Sequence, residues 1–479
     1  MQGHPGEKAP AEEVELADGG QFGPYQLGIP AGDSLAERLS GRLGRLGIHY
    51  AWVMLVLTFL TMLATSAAMG MAGVLMRPLE GQFGWTSGAV SGAMALRLVL
   101  YGLTGPFAAA LMMRYGLRRA ICAALGCITA GLLLITHMIG LWQLYVFWGV
   151  FVGFGTGMTA IVLGATVAGN WFGRRRGLAI GIMATAAASG VLAFIPISAW
   201  IAEHIGWRLS VVPPIALCSL AFVLVALLAR DHPSELGLPA YGDMIVMSPP
   251  LRRTGAARLS FDALKRVAPT RSFWVLIVGY AICGFTTNGL MQTHFIPLLQ
   301  DHGLLEAAAA DVFAMMAVFD FVGAIAAGYL TDRYDPRKLL LLYYLVRGAV
   351  LMLLPFSGFS DWQLGLFGAL YGLGWIAPVP PTIRLNTETF GAAQGPLVFG
   401  WLFAGHQLGA AVAALGAGVL RDAMGTYTPS FVFGGALCLV AGGTALLLPR
   451  GARLVFGAVA ATPDVMAEAA AIAVPMAAE

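Results

Sequence analysis

Long runs of apolar residues alternate with short polar segments along most of the chain. Twelve of these runs are close to the roughly 20 residues that an α-helix needs to cross a bilayer. We place them at residues 50–76, 87–112, 119–138, 142–169, 177–200, 209–229, 272–299, 307–331, 338–356, 362–385, 395–421 and 428–449. A polar, basic segment from Arg230 to Arg271 separates the sixth run from the seventh. The pattern predicts an all-α polytopic membrane protein with six transmembrane helices on each side of a central linker.

The polar segments define the predicted domain boundaries. We assign residues 1–47 to an N-terminal tail, 48–229 to a first six-helix bundle, 230–271 to a linker, 272–449 to a second six-helix bundle and 450–479 to a C-terminal tail. Near the end of the N-terminal tail, leucines share one helical face and arginines flank it; these residues are Leu35, Leu39, Leu43, Leu46, Arg38, Arg42 and Arg45. This spacing predicts a short helix that lies in the membrane interface.

Composition excludes several classes of protein. Hydrophobic residues make up 58% of the chain and charged residues 11%, and the mean hydropathy is +0.76, whereas a soluble domain carries about 25% charged residues. A soluble enzyme, a nucleic-acid-binding protein and a disordered scaffold are therefore excluded. The net charge of +3 predicts no nucleic-acid partner. All five cysteines fall in apolar runs and no CxxC spacing occurs, so we expect neither a disulfide framework nor a metal site.

The distribution of basic residues predicts the orientation in the membrane. Of the 28 lysines and arginines, 23 fall in the two tails, the linker and the loops on the same side as the tails. Three fall in loops on the other side, namely Arg77, Arg208 and Arg421, and two lie inside spans, namely Arg97 and Arg347. Because cytoplasmic loops carry the excess of positive charge, both termini are predicted to be cytoplasmic.

The two halves of the chain repeat each other at an offset of 219 residues. The segment "MMRYGLRR" at 112–119 aligns with "TDRYDPRK" at 331–338. Gly84 aligns with Gly303, and Gly206 with Gly425, at the same offset. These matches fall at equivalent helix ends, which indicates duplication of a six-helix unit. Parallel repeats around a central site are a transporter architecture.

The segment "GYLTDRYDPRK" at 328–338 resembles the loop motif of the major facilitator superfamily, which lies between the second and third helices of each half. The resemblance implies two pseudo-symmetric six-helix bundles that alternate access to a central site. It also implies a cytoplasmic latch, since a carboxylate at a helix end binds a neighbouring helix N-terminus and nearby cations. The gating residues by this resemblance are Arg114, Arg118, Asp332, Arg333 and Arg337. In the first half, Met113 stands where the motif has aspartate.

Three further segments resemble the monocarboxylate transporters and the bacterial oxalate/formate exchangers. They are "NWFGRRRGLAIGIMATAAASG" at 170–190, "FGWTSGAVS" at 83–91 and "FGWLFAGHQLGA" at 399–410. The resemblance implies transport of small organic anions, often with protons. The animal carriers have an aspartate and an arginine four residues apart on the eighth helix. Here Asp320 is present and Ala324 replaces the arginine, and the first-helix lysine of those carriers has no counterpart.

Ionisable residues inside the spans are candidates for function because each costs about 2.5–3.5 kcal/mol to insert. Asp320 is the carboxylate nearest to the middle of any predicted span, and it is either the carrier of a coupling proton or a structural partner of an arginine or a helix end. Arg97 is either a bidentate receptor for a substrate carboxylate or one half of a fixed salt bridge, with Asp320 as a candidate partner. Arg347 lies on a helix that is peripheral by the resemblance, which favours a structural role.

Polar and aromatic residues in other spans are further substrate-binding candidates. His406 and Gln407 lie near the middle of the eleventh helix, and Asn288 and Gln292 belong to a polar stretch on the seventh. Each pair can bind a ligand or simply bond helix to helix. Pro378, Pro380 and Pro381 interrupt the tenth helix, and Tyr371 and Trp375 precede the interruption. Those two rings can form a wall of the ligand site or pack in the core.

The favoured function is secondary active transport of a small organic anion, a monocarboxylate, coupled to protons. An organic anion exchanger or exporter is the alternative within transport, and a membrane sensor or receptor is the alternative outside it. The spans lack clustered metal ligands or a carboxylate dyad, and the chain lacks a GxxxxGK[ST] motif, so we predict neither an enzyme nor an ATP-driven pump. We expect no cofactor, a monomer in the bilayer, and a location in a bacterial inner membrane.

Overall fold

The computed structural model describes residues 34–247, 256–391 and 394–449. Most of the predicted N-terminal tail, part of the linker and the predicted C-terminal tail at 450–479 lie outside the described residues. The described part of the chain is helical, apart from its loops and an isolated bridge between Phe172 and Tyr241.

Fifteen helices are numbered here in chain order. The first half contains α1 (Leu35–Arg45), α2 (Ala51–Phe83), α3 (Ser87–Tyr115), α4 (Leu117–Ile135), α5 (Leu141–Trp171), α6 (Arg176–His204) and α7 (Trp207–Leu228). The linker contains α8 (Ala256–Val267). The second half contains α9 (Arg271–Asp301), α10 (Glu306–Arg333), α11 (Pro336–Phe356), α12 (Asp361–Leu373), α13 (Val379–Phe390), α14 (Gly395–Met424) and α15 (Thr428–Ala445).

Ten helices in the described part of the chain are long and apolar enough to cross a membrane. The 29-residue helix α6 and the consecutive pair α12 and α13 complete the set of twelve predicted from the sequence. The prediction of an all-α protein with twelve transmembrane helices is therefore confirmed. The first span is longer than predicted, because α2 continues past residue 76 through a turn in which Arg77 pairs with Glu80 at 2.9 Å.

The repeated glycines occupy equivalent turns of the two halves. Gly84 ends α2 with φ of 66°, and Gly303 follows α9 with φ of 85°. Gly206 and Gly425, which follow α6 and α14, have φ of 137° and 73°. Only glycine adopts such angles without strain. The duplication therefore preserved glycine where the chain must turn between membrane helices.

The two bundles contact each other through equivalent pairs of helices. Helix α3 of the first bundle packs along α14 of the second, and α6 packs along α10. The α3–α14 contact is close enough that a Cβ at Gly418 would lie 2.8 Å from the Ser87 carbonyl oxygen. In the linker, Phe261 of α8 packs between Phe107 of α3 and Trp401 of α14, with ring-centroid distances of 5.3 and 5.6 Å. Any change in the angle between the bundles must therefore alter these contacts.

Candidate functional site

The tenth membrane span is broken between α12 and α13. Pro380 and Pro381 lie in the first turn of α13, where their missing N–H groups cost nothing. The break between the two helices leaves backbone groups without helical partners at membrane depth, where such groups are costly. Two charged side chains, Asp320 from α10 and Arg347 from α11, bind these groups.

Arg347 is held on several sides by the protein itself. It is 1% exposed, and its guanidinium donates hydrogen bonds to the carbonyl oxygens of Gly374 and Trp375, the latter at 2.7 Å. The guanidinium also donates to Cys283 Sγ at 3.1 Å and to Thr286 Oγ1 at 3.5 Å. These contacts agree with the structural role that its position in the sequence favoured.

Asp320 binds the same break from the opposite side. It is 5% exposed, and its Oδ1 accepts the Ile376 N–H at 2.8 Å. Within the described residues it forms no ion pair with Arg97, the partner that the sequence suggested. Asp320 therefore lies at a helix break, with the charge of Arg347 nearby.

Arg97 is buried without a hydrogen-bond or ion-pair partner among the described residues. Its relative exposure is 0%, and none of its three guanidinium nitrogens has a hydrogen-bond partner in the described part of the chain. Its guanidinium lies 6.0 Å from the centroid of the Trp148 ring, whose indole N–H is also buried and unpaired. All of these unpaired groups are donors. Burying a cation without hydrogen-bond acceptors costs free energy. The site therefore suits a negatively charged ligand that accepts hydrogen bonds.

Two π-helical segments pack against α3 and α14, the first beside Arg97 and the second beside Gln407. The first, Tyr145–Val152 in α5, carries Trp148, and the second, Phe285–Met291 in α9, carries Asn288. Such segments are frequent at functional sites, because the extra residue per turn re-aims side chains. Asn288 Nδ2 donates to Gln407 Oε1 at 3.3 Å, and Gln407 Nε2 is a further buried donor without a partner among the described residues.

Aromatic rings connect Arg97 to His406. Tyr101, one helical turn after Arg97, packs edge-on against Phe403 at 5.4 Å. His406 is stacked at 6.0 Å from Phe403 and lies 4.7 Å from the ring of Tyr280. The sequence did not predict a role for Tyr101, Trp148 or Tyr280, although the spacing of Tyr101 from Arg97 was a visible signal.

Two other predicted binding residues belong to the surroundings of Arg347. Tyr371 is fully buried, and its hydroxyl donates to the Thr286 carbonyl oxygen at 2.7 Å. Trp375 lies in the break and packs edge-on against Tyr371 at 5.6 Å. Gln292 lies on α9 beyond the π segment, with a buried Oε1 that has no partner in the described ranges.

The predicted gating residues lie at the loops after α3 and α10. Asp332 is exposed and makes no hydrogen bond or ion pair to the described residues. Arg114 and Arg333 lie over the rings of Tyr115 and Tyr329, at 5.3 and 4.1 Å.

Arg118 and Arg337, which are equivalent residues of the two halves, each bond to an aspartate and to a carbonyl near the end of the sixth helix of their half. The Arg118 N–H donates to Asp231 Oδ1 at 2.7 Å, and its guanidinium donates to the Ala226 carbonyl at the end of α7. The Arg337 N–H donates to Asp335 Oδ1 at 3.0 Å, and its guanidinium donates to the Leu448 carbonyl just after α15. Hydrogen bonds from Arg337 hold the pKa of Asp335 below its usual range. In each half, this arginine ties the third helix to the sixth.

Known proteins match most of the chain. A family model described as Major Facilitator Superfamily matches residues 54–310 and 291–467. The Monocarboxylate transporter 13 of Bos taurus is 27% identical over 431 residues, which cover 89% of this chain and 96% of that protein. The Gallate transporter of Pseudomonas putida is 26% identical over 441 residues, which cover 83% of this chain and 93% of that protein.

The fold is similar to that of a solved transporter. The crystal structure of a D-xylose-proton symporter superimposes with a TM-score of 0.67 at 13% identity, covering 84% of this chain and 99% of that one. These relatives and this fold are those of transporters, which are not enzymes. The protein is an integral membrane transporter, and the chain belongs to the Major Facilitator Superfamily.

Proposed function

We propose that the protein is a secondary active transporter that moves a small organic anion, a monocarboxylate, together with protons by alternating access. The observation that carries the proposal is the buried Arg97 guanidinium without a partner in the described residues. The names of two relatives, a monocarboxylate transporter and a gallate transporter, support the same substrate class.

A carboxylate is the ligand that best completes the Arg97 site. The planar guanidinium offers a fork of donors that matches the two oxygens of a carboxylate. The Trp148 N–H and the Gln407 Nε2, neither of which has a partner among the described residues, add neutral donors that strengthen the preference for an acceptor. The rings of Tyr101, Phe403 and Tyr280 provide apolar surface for the body of the anion. His406, Asn288, Gln292, Tyr371 and Trp375 remain proposed binding residues.

Asp320 is the proposed site of proton coupling. In its ionised form it accepts the Ile376 N–H and offsets the charge of Arg347. Protonation removes the negative charge and weakens the bond to the break between α12 and α13. The proton on Asp320 would thereby change how firmly α13 is held. The cytoplasmic latch of Arg114, Arg118, Asp332, Arg333 and Arg337 is the proposed inner gate.

The proposed setting is a bacterial inner membrane, with a monomer whose two termini are cytoplasmic. The positive charge of the loops after α3 and α10 supports this orientation.

The test is uptake into proteoliposomes that contain the purified protein. Labelled benzoate, gallate, lactate and pyruvate are offered with and without an inward proton gradient. Symport predicts accumulation of at least one of them that requires the gradient and is lost when an ionophore collapses it. Exchange without gradient-driven accumulation would favour an exchanger. Absence of flux, together with carboxylate-dependent thermal stabilisation, would favour a sensor.

A further inference from the structure

Two carboxylates cross between the bundles at the face of the protein opposite to the start of α2 and the end of α15. This face, called the far face below, carries the turns after α2, α6, α9 and α14. Asp422, near the end of α14, accepts the N–H groups of Ser87 and Gly88 in the first turn of α3, at 2.8 and 2.7 Å. Glu203, near the end of α6, accepts the Ala307 N–H in the first turn of α10 at 2.9 Å.

The two contacts are related by the internal repeat. Glu203 and Asp422 are 219 residues apart, and so are Gly88 and Ala307. Each contact places a negative charge at a helix N-terminus, where free N–H groups and the helix dipole attract it. We call the pair the far-face latches. Because each latch joins one bundle to the other, the bundles can separate at this face only when both latches break.

A third contact closes the same face. Asp301, at the end of α9, forms an ion pair with Arg77 of α2 in the opposite bundle. The same carboxylate pairs with Arg421 of α14 at 2.7 Å. Asp301 is therefore paired with two arginines, one from each bundle.

The two latches differ in charge at one pair of equivalent positions, Ser87 and Glu306. Ser87 is neutral, and its hydroxyl donates to Glu80 at 2.5 Å. Glu306 adds a second carboxyl beside Glu203. The two are close because Glu203 accepts the N–H of the peptide bond between Glu306 and Ala307. Glu306 is 7% exposed, and its Oε1 has no partner in the described part of the chain. Its Oε2 receives only a long hydrogen bond of 3.4 Å from Gln300.

Neighbouring groups do not neutralise Glu306. On α6, His204 bonds to the Trp200 carbonyl oxygen at 3.0 Å. After α9, His302 bonds to the Leu298 carbonyl oxygen at 2.9 Å, and Asp301 is occupied by its two arginines. The remaining charged residues near this end of α10 are exposed acids, namely Asp311 and Asp361. Within the described residues, no cation lies within ion-pair distance of Glu306.

We propose that Glu306 is a proton-binding site that operates with the far-face latches. Closing the far face buries Glu306 beside Glu203, and Glu306 takes up one proton from the water on that side. The proton forms an O–H bond on a carboxyl oxygen and removes the repulsion between two carboxylates. Opening hydrates both groups and releases the proton. The closed far face is therefore favoured as the pH falls, independently of Arg97 and Asp320.

The test measures the opening of the far face by electron–electron distance spectroscopy in lipid nanodiscs. Spin labels are placed at Ile139, in the loop after α4 of the first bundle, and at Trp362, in the first turn of α12 in the second bundle. These residues are 81% and 69% exposed at the far face. The half-exposed Cys122 and Cys127 are replaced by alanine beforehand, and the other three cysteines are buried. The ratio of closed to open populations is followed between pH 8 and 5.5.

Uptake of one proton predicts that this ratio rises with falling pH, by at most tenfold per pH unit. Glu306→Gln should remain closed with no pH dependence, since its neutral amide imitates the protonated acid. Asp422→Asn, the matched control in the other latch, should raise the open fraction at every pH and keep the dependence. Glu203→Gln removes the carboxylate beside Glu306, so the midpoint of the pH-dependent change in the closed-to-open ratio should move to lower pH.

Asp422→Asn weakens one of the two latches, so we expect its open population to be large enough to measure. A pH dependence that persists unchanged in Glu306→Gln would overturn the proposal. A closed-to-open ratio that does not depend on pH in either the parent protein or Asp422→Asn would also overturn the proposal. Carboxylate binding at Arg97 is measured separately, so either proposal can fail while the other stands.

Discussion

Asp320 and Arg347 bind the two ends of one peptide bond. Asp320 Oδ1 accepts the Ile376 N–H at 2.8 Å, and Arg347 Nη2 donates to the Trp375 carbonyl oxygen at 2.7 Å. The N–H and the carbonyl belong to the same peptide group, inside the break between α12 and α13. Two opposite buried charges thus compensate each other through the backbone, without a direct ion pair. Both charged side chains therefore stabilise the break, and a proton on Asp320 would weaken one of the two hydrogen bonds.

The two buried arginines should respond in opposite ways to loss of charge. Arg347→Gln leaves carbonyl groups unpaired and Asp320 uncompensated, which should cost about 3–5 kcal/mol. Arg97→Gln removes a cation that has no acceptor in the described residues, so its melting temperature should be equal to or above that of the wild type. Thermal melting of both purified variants in the same detergent checks the contrast. A large loss of stability in Arg97→Gln would show that Arg97 has a structural partner.

Replacement of the proposed proton carrier should separate accumulation from exchange. Asp320→Asn keeps an oxygen that can accept the Ile376 N–H, so the fold should survive. The amide cannot carry a proton, so gradient-driven accumulation should be abolished. Exchange of substrate between two loaded faces should persist, because exchange need not release the proton. Uptake that still follows the pH gradient in this variant would exclude Asp320 from coupling.

The asymmetry between the two loops of the proposed inner gate predicts opposite shifts for two substitutions. Asp332→Asn should favour the state open to the cytoplasm, because the first-half motif already has Met113 in place of aspartate. Met113→Asp should favour the opposite state. Since Asp332 has no polar contact with the described residues, its replacement should change the melting temperature little. Thiol labelling from the cytoplasmic side measures the shift, and unchanged accessibility in Asp332→Asn would place the latch elsewhere.

The docking of the linker against α2 should weaken in acid. The His49 ring accepts the Ala51 N–H at Nδ1 and bonds to the Pro239 carbonyl oxygen at Nε2, both at 3.1 Å. Burial lowers the pKa of His49 below its ordinary 6.5. The folded state therefore binds a proton at His49 less readily than the unfolded state does. The contribution of neutral His49 to the free energy of unfolding is fully present above pH 6.5 and is lost as the pH falls. The fall in melting temperature between pH 7.5 and 5.5 should be smaller in His49→Gln, whose amide makes both bonds without titrating.

The sequence predicts the helices and the repeat because both depend on local patterns. Apolar runs of spanning length must become helices in a bilayer, and glycines such as Gly84 and Gly303 are needed wherever φ is positive. The same signal, a basic residue inside a span, marks Arg97 and Arg347 equally. Only the fold shows that the break after α12 supplies acceptors to Arg347, and that Arg97 has none among the described residues.

The far-face latches show a second limit of prediction from sequence. Glu203 and Asp422 lie at helix ends, where an acidic residue is ordinarily solvated. Their common offset of 219 residues was a visible signal, but acidic side chains at equivalent positions do not reveal what they bind. Their partners are backbone N–H groups on α3 and α10, and such groups carry no signature in the sequence.

Carboxylate binding to Arg97 is tested most directly by calorimetric titration of purified protein. The probe is whichever of benzoate, gallate, lactate and pyruvate gives the largest thermal stabilisation of the wild type. Arg97→Lys keeps the charge and loses the planar fork, so its affinity should fall at least about tenfold while binding remains measurable. Arg97→Gln should show no binding, although its fold is intact. Wild-type affinity in Arg97→Gln would contradict the assignment of Arg97 as the carboxylate receptor.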